Sequence, residues 1–272
     1  MSSSQKVGIL PDAKAAEQFA YFLNRQGIEH ELKETNEGIE VYIHHSAHIP
    51  IALKALEEVN GASKEAVIHK IPLGPMTLFF ITLCVSLYVL QYLGLQELIY
   101  NSLMMSKHYY GIQEINNGQI WRLLTPIFLH SPASLQHPEN ILHIVFNMMW
   151  LYQLGPVIEA NEDSKRFVLL VVVIGLVSNY AQYLSSGPAF FGMSGVIYGL
   201  LGYLWYLSQF ARHKTSYYVS KQLMLFMVVW LLVCFTGWVG NIANTAHVVG
   251  LLTGIIFGAL AASIWPEPKH QN

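Results

Sequence analysis

The sequence predicts an all-α polytopic membrane protein with a small soluble α+β domain at its N-terminal end. Only 12 % of the 272 residues are charged and 53 % are hydrophobic, whereas soluble domains average about 25 % and 45–50 %. The run Met76–Leu95 contains no charged side chain, and about 20 apolar residues span a bilayer core of roughly 30 Å. The residues before this run instead show the patterns of short strands and amphipathic helices.

The N-terminal domain is predicted over residues 1–61. Its elements follow the order strand, helix, strand, strand, helix, which indicates a small ferredoxin-like module. Their predicted bounds are Lys6–Leu10, Ala13–Arg25, Glu29–Glu34, Ile39–Ile43 and Pro50–Asn60, and Gly61 is expected to end the last helix. This domain shows no catalytic constellation.

Six membrane spans are predicted after a linker at residues 62–74. The six-helix domain covers residues 75–266 and leaves a cytoplasmic tail at residues 267–272. The spans are Met76–Leu95, Asn140–Ile158, Phe167–Leu184, Ser194–Phe210, Gln222–Val239 and Ala243–Trp265.

Lys and Arg side chains predict the orientation of these spans. They occur in the linker, in the second-to-third and fourth-to-fifth loops and in the tail, but not in the third-to-fourth and fifth-to-sixth loops. By the positive-inside rule both termini are cytoplasmic. Ser194 and His247 then lie near the outer ends of their helices. The first residues lack an apolar h-region, so we expect no cleavable signal peptide.

Composition argues against several other classes. The net charge is −2 with no basic stripe, so we expect no nucleic-acid partner. The twelve histidines show no metal-ligand spacing, and we expect neither a metal nor another cofactor. Cys84 and Cys234 lie in apolar runs and are interpreted as core residues.

Ser194 is the first candidate nucleophile. It begins the shortest predicted span in the motif Gly192-Met193-Ser194-Gly195, within a stretch that has no charged residue. The free backbone N–H groups of a helix N-terminus can bind an oxyanion, and the glycines leave room for a substrate. The motif alone is weak, because a serine that caps its helix would give the same pattern.

His247 is the candidate general base. It is the only strongly polar ionisable group between Gln222 and Pro266, and such a residue inside a membrane is a functional candidate. The alternative is a structural histidine that bonds to a backbone carbonyl. Small residues recur every four positions beside it and predict close helix packing. They are Ala246, Gly250, Gly254, Gly258 and Ala262, facing Gly195, Gly199 and Gly202.

Tyr198 lies one turn after Ser194 on the same helix face and could hold the imidazole; ordinary core packing is the alternative. No Asp or Glu occurs in spans three to six. The sequence therefore predicts a Ser–His dyad rather than a triad.

His143 and Asn147 share a face of span two at spacing i, i+4. Polar groups there are costly unless they are paired. They either bond to each other or to neighbouring helices, or they point into a wet pocket as oxyanion donors.

These motifs together resemble the rhomboid intramembrane serine proteases of the bacterial GlpG type, and the resemblance extends over about residues 75–265. It implies a six-helix rhomboid bundle in a bacterial inner membrane, with the active site open to the periplasm and transmembrane proteins as substrates. Ser194 is then the nucleophile and His247 the base, with Tyr198 in support. The Ser194 N–H, Asn147 and His143 form the oxyanion hole. The remaining matched positions are structural: Gly192, Gly195, Gly250, Gly254, Trp121, Arg122 and Glu159.

The segment His130–Pro138 is longer and richer in proline than the family pattern. Phe235–Asn244 is expected to cover the mobile cap where substrate enters. A catalytically silent rhomboid-like protein that binds membrane helices is the alternative function. A transporter with histidine proton relays is a third, and a homodimer is left open.

Overall fold

A computed structural model describes residues 4–68, 71–107, 111–132, 140–210, 219, 221–238 and 242–264. The chain divides into two compact units, Met1–Lys70 and Ile71–Asn272.

The N-terminal unit contains a three-stranded antiparallel sheet and two helices. The sheet order is β1-β3-β2, so the last strand lies between the other two, as in the first part of a ferredoxin-like module. The predicted element order is confirmed. The bounds are β1 Gln5–Leu10, α1 Ala13–Arg25, β2 His30–Thr35, β3 Gly38–Ile43 and α2 Ile49–Ile68.

The core of this unit follows from its apolar patterning. The Asp12 side chain caps α1 by accepting a hydrogen bond of 2.8 Å from the Ala15 N–H. Phe19 and Leu23, one turn apart, are fully buried against the sheet residue Val41.

The predicted end of α2 at Gly61 is wrong, because the helix continues to Ile68. A glycine inside a helix costs only about 1 kcal/mol relative to alanine. Good helix formers follow it in Ala62, Lys64, Glu65 and Ala66. The first part of the predicted linker 62–74 is therefore helical.

The second unit consists of helices. The described ones are α3 Pro75–Leu90, α4 Gln96–Leu103, α5 Gln113–Asn116, α6 Asn140–Asn161, α7 Ser164–Ser186, α8 Ser194–Phe210, α9 Lys221–Phe235 and α10 Asn244–Ile264. A wide helical turn at Gln91–Leu95 joins α3 to α4, with Gly94 at φ +102°. The first span thus continues past its predicted end at Leu95, because glycine adopts this left-handed conformation without strain.

Within the described ranges, four helices are long and apolar enough to cross a membrane: Pro75–Leu103, Asn140–Asn161, Ser164–Ser186 and Asn244–Ser263. The apolar part of α9, Gln222–Phe235, is shorter, and α8 has 17 residues. The chain is therefore mostly helical with several candidate spans, and the count of six stays a prediction. The tail at 267–272 lies outside the described residues.

Glu159 near the end of α6 caps the start of the first span. Its carboxylate accepts hydrogen bonds from the N–H groups of Met76 at 3.1 Å and Thr77 at 2.7 Å. The hydroxyls of Thr77 and Ser164 also donate to it, at 2.6 and 2.7 Å. Because the first N–H groups of a helix have no intrahelical partner, this carboxylate fixes where α3 begins.

Arg122 stabilises the connection between the first two predicted spans through hydrogen bonds. Its side chain is 1 % exposed and donates to the carbonyl oxygens of Met104 at 2.6 Å and Asn101 at 2.5 Å. Burial lowers the pKa of the Arg122 guanidinium, and the nearby Glu114 opposes this shift. Trp121, half exposed, donates to the Ser102 carbonyl at 3.2 Å.

Replacing Glu159 with glutamine is expected to destabilise the membrane unit. A glutamine amide presents a donor where the carboxylate accepts from Met76 and Thr77, so at least one charge-assisted bond is lost. We expect the free energy of unfolding to fall by about 1–3 kcal/mol, measured by thermal unfolding in detergent. The control is Lys165→Gln, at an exposed charge near the same helix end. Equal midpoints for both variants and the native chain would contradict this role.

Candidate active site

Ser194 and His247 meet at the N-terminal ends of two neighbouring helices. The Ser194 Oγ lies 2.7 Å from the His247 Nε2. Ser194 is the first residue of α8, and His247 lies in the first turn of α10 and is 5 % exposed. The hydrogen bond that the structure gives to this hydroxyl is thus with the imidazole and not with the N–H groups of its own helix.

Glycine contacts hold α8 and α10 close enough for this bond. A Cβ atom on Gly250 would collide with the carbonyl oxygen of Gly195, and one on Gly254 with that of Gly199. The two backbones are therefore in direct contact. The close packing that the small-residue spacing predicts is present, and it starts one turn from the dyad.

The loop before Ser194 is fixed by Gly192. This residue has φ +122°, a conformation that side chains disfavour. Its N–H donates to the Pro126 carbonyl at 3.0 Å. A Cβ here would lie 2.9 Å from the His143 ring and 3.8 Å from the Ser194 Oγ. The glycine therefore keeps open the space between His143 and the serine.

Asn147 is 4 % exposed on α6. Its amide nitrogen donates to the His143 backbone carbonyl at 2.7 Å. An amide group has two donor hydrogens, so one bond of this kind leaves a second donor. The two side chains of the predicted pair thus do not bond to each other in this structure.

Tyr198 packs against the imidazole. The ring centroids of Tyr198 and His247 are 4.9 Å apart, with an interplanar angle of 36°. The phenol hydroxyl donates to the Met227 carbonyl at 3.1 Å, which ties the ring to α9. On the other side of the imidazole, Nδ1 has no hydrogen-bond partner among the described residues. Within the described ranges, no carboxylate bonds to Nδ1 as the acid of a triad would.

Sequence reasoning missed polar residues on α7. The Gln182 Oε1 accepts a hydrogen bond of 2.9 Å from the N–H of Ala246, directly before His247. Ser178 lies against Gly195, with its Oγ 3.0 Å from where a Cβ would be. The signal was available, since polar side chains inside an apolar span are functional candidates.

Other predicted positions lie around this centre. His130 is fully buried, with its ring centroid 5.1 Å from that of His143. Residues 133–138 of the predicted segment His130–Pro138, which include His137, lie outside the described residues. The predicted cap Phe235–Asn244 is described except at residues 239–241, and Trp238 is 91 % exposed.

Comparison with known proteins places this arrangement in a family. The model of the Rhomboid domain matches residues 117–264. A Rhomboid protease GlpG of Serratia proteamaculans is 29 % identical over 92 % of this chain and 94 % of its own length. Those of Salmonella paratyphi A and Salmonella choleraesuis are 30 % and 31 % identical over 67 % of this chain and 61 % of their length.

The family match covers more than half of the chain and includes all the helices that carry the site. The chain therefore belongs to the rhomboid family.

Proposed function

We propose that this rhomboid protease cleaves transmembrane segments of other membrane proteins with a catalytic dyad of Ser194 and His247. The family makes it an intramembrane serine endopeptidase. The observation that carries the dyad is the 2.7 Å contact between Ser194 Oγ and His247 Nε2. This distance is within the range for a nucleophile and its base.

The first step is acylation of the serine. His247 Nε2 takes the hydroxyl proton while Oγ attacks the carbonyl carbon of the peptide bond. The imidazolium then gives this proton to the leaving amine as the C–N bond breaks. In the second half, water attacks the acyl ester and His247 takes its proton. The imidazolium then returns a proton to Oγ as the ester C–O bond breaks, which releases the carboxylic acid product and restores the serine hydroxyl.

The negative charge on the substrate oxygen needs donors that are already in place. The N–H of Ser194 is one, because the first N–H groups of α8 have no partner within the helix. The second donor of Asn147 and the ring of His143, beside the space that Gly192 leaves, supply the others. Support comes from the position of the His143 ring, 2.9 Å from where a Gly192 Cβ would lie.

Tyr198 takes the orienting role that a carboxylate has in a triad. Its ring contacts the imidazole and its hydroxyl is tied to α9. A packed ring limits rotation of the imidazole but provides no charge to stabilise the imidazolium. We therefore expect slower turnover than in a triad, where replacing the aspartate costs about 10⁴ in kcat.

The substrate is a membrane segment that must first unwind. Peptide bonds inside a helix are hydrogen-bonded and shielded, and lipid offers no alternative partners. Small or helix-breaking residues near the cut reduce the cost of unwinding, so we expect substrates to carry them.

The orientation follows from charge. Both termini face the cytoplasm of a bacterium, and the site opens to the periplasm across the inner membrane. The common placement of Ser194 and His247 at helix N-termini supports a single opening.

Labelling of single cysteines, introduced at Ser185 and Lys165, with a membrane-impermeant reagent in whole cells tests this orientation. Only the first should react.

Alanine at Ser194 or at His247 is expected to abolish cleavage. Each change removes one partner of the dyad, and kcat should fall at least about 10³-fold. The assay uses purified full-length protein in liposomes with a single-span substrate. The matched control is Ser208→Ala, since the Ser208 hydroxyl on the same helix donates only to the Trp205 carbonyl at 2.7 Å.

Retained cleavage by folded Ser194→Ala or His247→Ala would exclude the dyad. Binding of the substrate without cleavage by the native chain would instead favour the silent helix-binding protein.

Asn147→Ala is expected to lower kcat about 10²-fold with little change in KM, because an oxyanion donor acts mainly in the transition state. The control is Asn161→Ala. Asn161 lies on the same helix and makes the same bond to the carbonyl four residues earlier, Val157, at 2.7 Å. Equal kinetic losses in both variants would indicate a structural effect and contradict the oxyanion role.

A further inference from the structure

A cavity lies at the end of the first span, and neither Ser194 nor His247 lines it. Its volume is about 850 Å³. One wall is the kinked segment from Gln91 to Lys107, and the other is the loop from Pro188 to Phe191. Neither the proposed reaction nor the family motifs use this cavity.

Its depth matches the headgroup layer of a bilayer. A helix rises 1.5 Å per residue, so Gln91 lies about 24 Å and Gln96 about 32 Å along the helix from Pro75. The hydrocarbon core is about 30 Å thick. Around the cavity, Tyr92, Leu93 and Leu98 are 69 %, 71 % and 64 % exposed. Lipid chains can therefore contact the same segment whose polar groups line the cavity.

Two residues that line the cavity, Gln91 and Glu97, carry side-chain oxygen acceptors. Gln91 is 2 % exposed, and its amide nitrogen donates to the Leu87 carbonyl at 3.1 Å. Its buried Oε1 has no hydrogen-bond partner among the described residues. A buried acceptor of this kind costs free energy unless a ligand donates to it. The carboxylate of Glu97 lines the same cavity and adds negative charge.

The lining of the cavity also includes a positively charged side chain that can pair with an anion. Lys107 lines it, and none of the ion pairs found within the described ranges includes either Lys107 or Glu97. Opposite charges in one cavity complement a ligand that itself carries both signs.

We propose that this cavity binds the headgroup of a membrane phospholipid that carries both a phosphate and a primary ammonium, that is, a phosphoethanolamine headgroup. The ammonium donates to Gln91 Oε1 and to the Glu97 carboxylate, and Lys107 pairs with the phosphate. A phosphocholine headgroup has no N–H to donate, and a phosphoglycerol headgroup has no cation. The acyl chains lie along the exposed apolar residues of the first span.

The occupant contacts the segment that leads to the nucleophile. Pro188 and Phe191 line the cavity, and the Phe191 ring lies 5.8 Å from that of Tyr100 between centroids. Three residues further on, the chain reaches Ser194. The lipid therefore contacts the loop that leads to the nucleophile.

The test measures lipid binding to delipidated full-length protein in detergent by native mass spectrometry. Phosphatidylethanolamine, phosphatidylcholine and phosphatidylglycerol with identical acyl chains are titrated separately. We expect the first to bind at least about threefold more tightly than either of the others, because an exposed charge pair makes only a modest contribution to binding. Equal affinity for the three lipids would overturn the proposal. Binding is read without catalysis, so this result is independent of the dyad.

Three variants and one control test which side chains hold the headgroup. Glu97→Gln should abolish the preference for phosphatidylethanolamine over phosphatidylcholine. Lys107→Gln should weaken the binding of these two lipids about equally. Lys165→Gln, at the opposite end of the helices, is the control and should change neither. Gln91→Leu removes the buried acceptor and should lower the preference as Glu97→Gln does. A preference that persists in Glu97→Gln and Gln91→Leu would overturn the proposal. The proposal would also be overturned if soluble phosphoethanolamine competed for the cavity as well as the lipid does.

Discussion

The direct backbone contact between α8 and α10 is the constraint on which the site depends. Glycines at 250 and 254 let the carbonyl oxygens of Gly195 and Gly199 occupy space that any side chain would fill. In lipid, where apolar surface gives little drive for helices to associate, such contacts supply much of the packing energy. Ser194 and His247 each lie within one turn of the first contact, so helix separation sets the distance between Oγ and Nε2.

Polar side chains elsewhere in the membrane unit mostly form hydrogen bonds to the backbone of a neighbouring element. Glu159 caps the start of α3, Arg122 donates to two carbonyls at the end of α4, and Gln182 accepts from the N–H of the residue before His247. Each bonds to a backbone group at a helix end, where no partner within the helix is available. These polar side chains thus position elements, whereas Ser194, His247 and Asn147 are the side chains that we propose for the chemistry.

Much of this arrangement could be predicted from the sequence, because its causes are local. The four-residue spacing of small side chains predicts the α8–α10 contact, and a lone histidine in an apolar helix marks His247. The position of Tyr198 against the imidazole follows from helix periodicity. The strand order of the N-terminal unit also agrees with its element pattern.

The remainder depends on tertiary context. Gly61 looks like a helix end, but the helix formers after it outweigh its cost. Gly94 bends the first span without ending it. The hydrogen-bond partner of Gln182 lies 64 residues away, so no local sequence pattern predicts this bond. The span count depends on the bilayer, because α8 and α9, at 17 and 15 residues, are shorter than the run of about 20 residues that crosses a bilayer core.

The most direct measurement of the central claim is the rate at which a fluorophosphonate reagent labels Ser194, read by mass spectrometry of the intact protein. Gly250→Ala places a methyl group against Gly195 beside the dyad. Gly258→Ala places one near Tyr203 and Tyr206, about two turns further along the same helix. If the separation of α8 and α10 sets the distance between Oγ and Nε2, the labelling rate falls at least about tenfold in folded Gly250→Ala. It stays near the native rate in Gly258→Ala. Native labelling rates in folded Gly250→Ala would contradict the account.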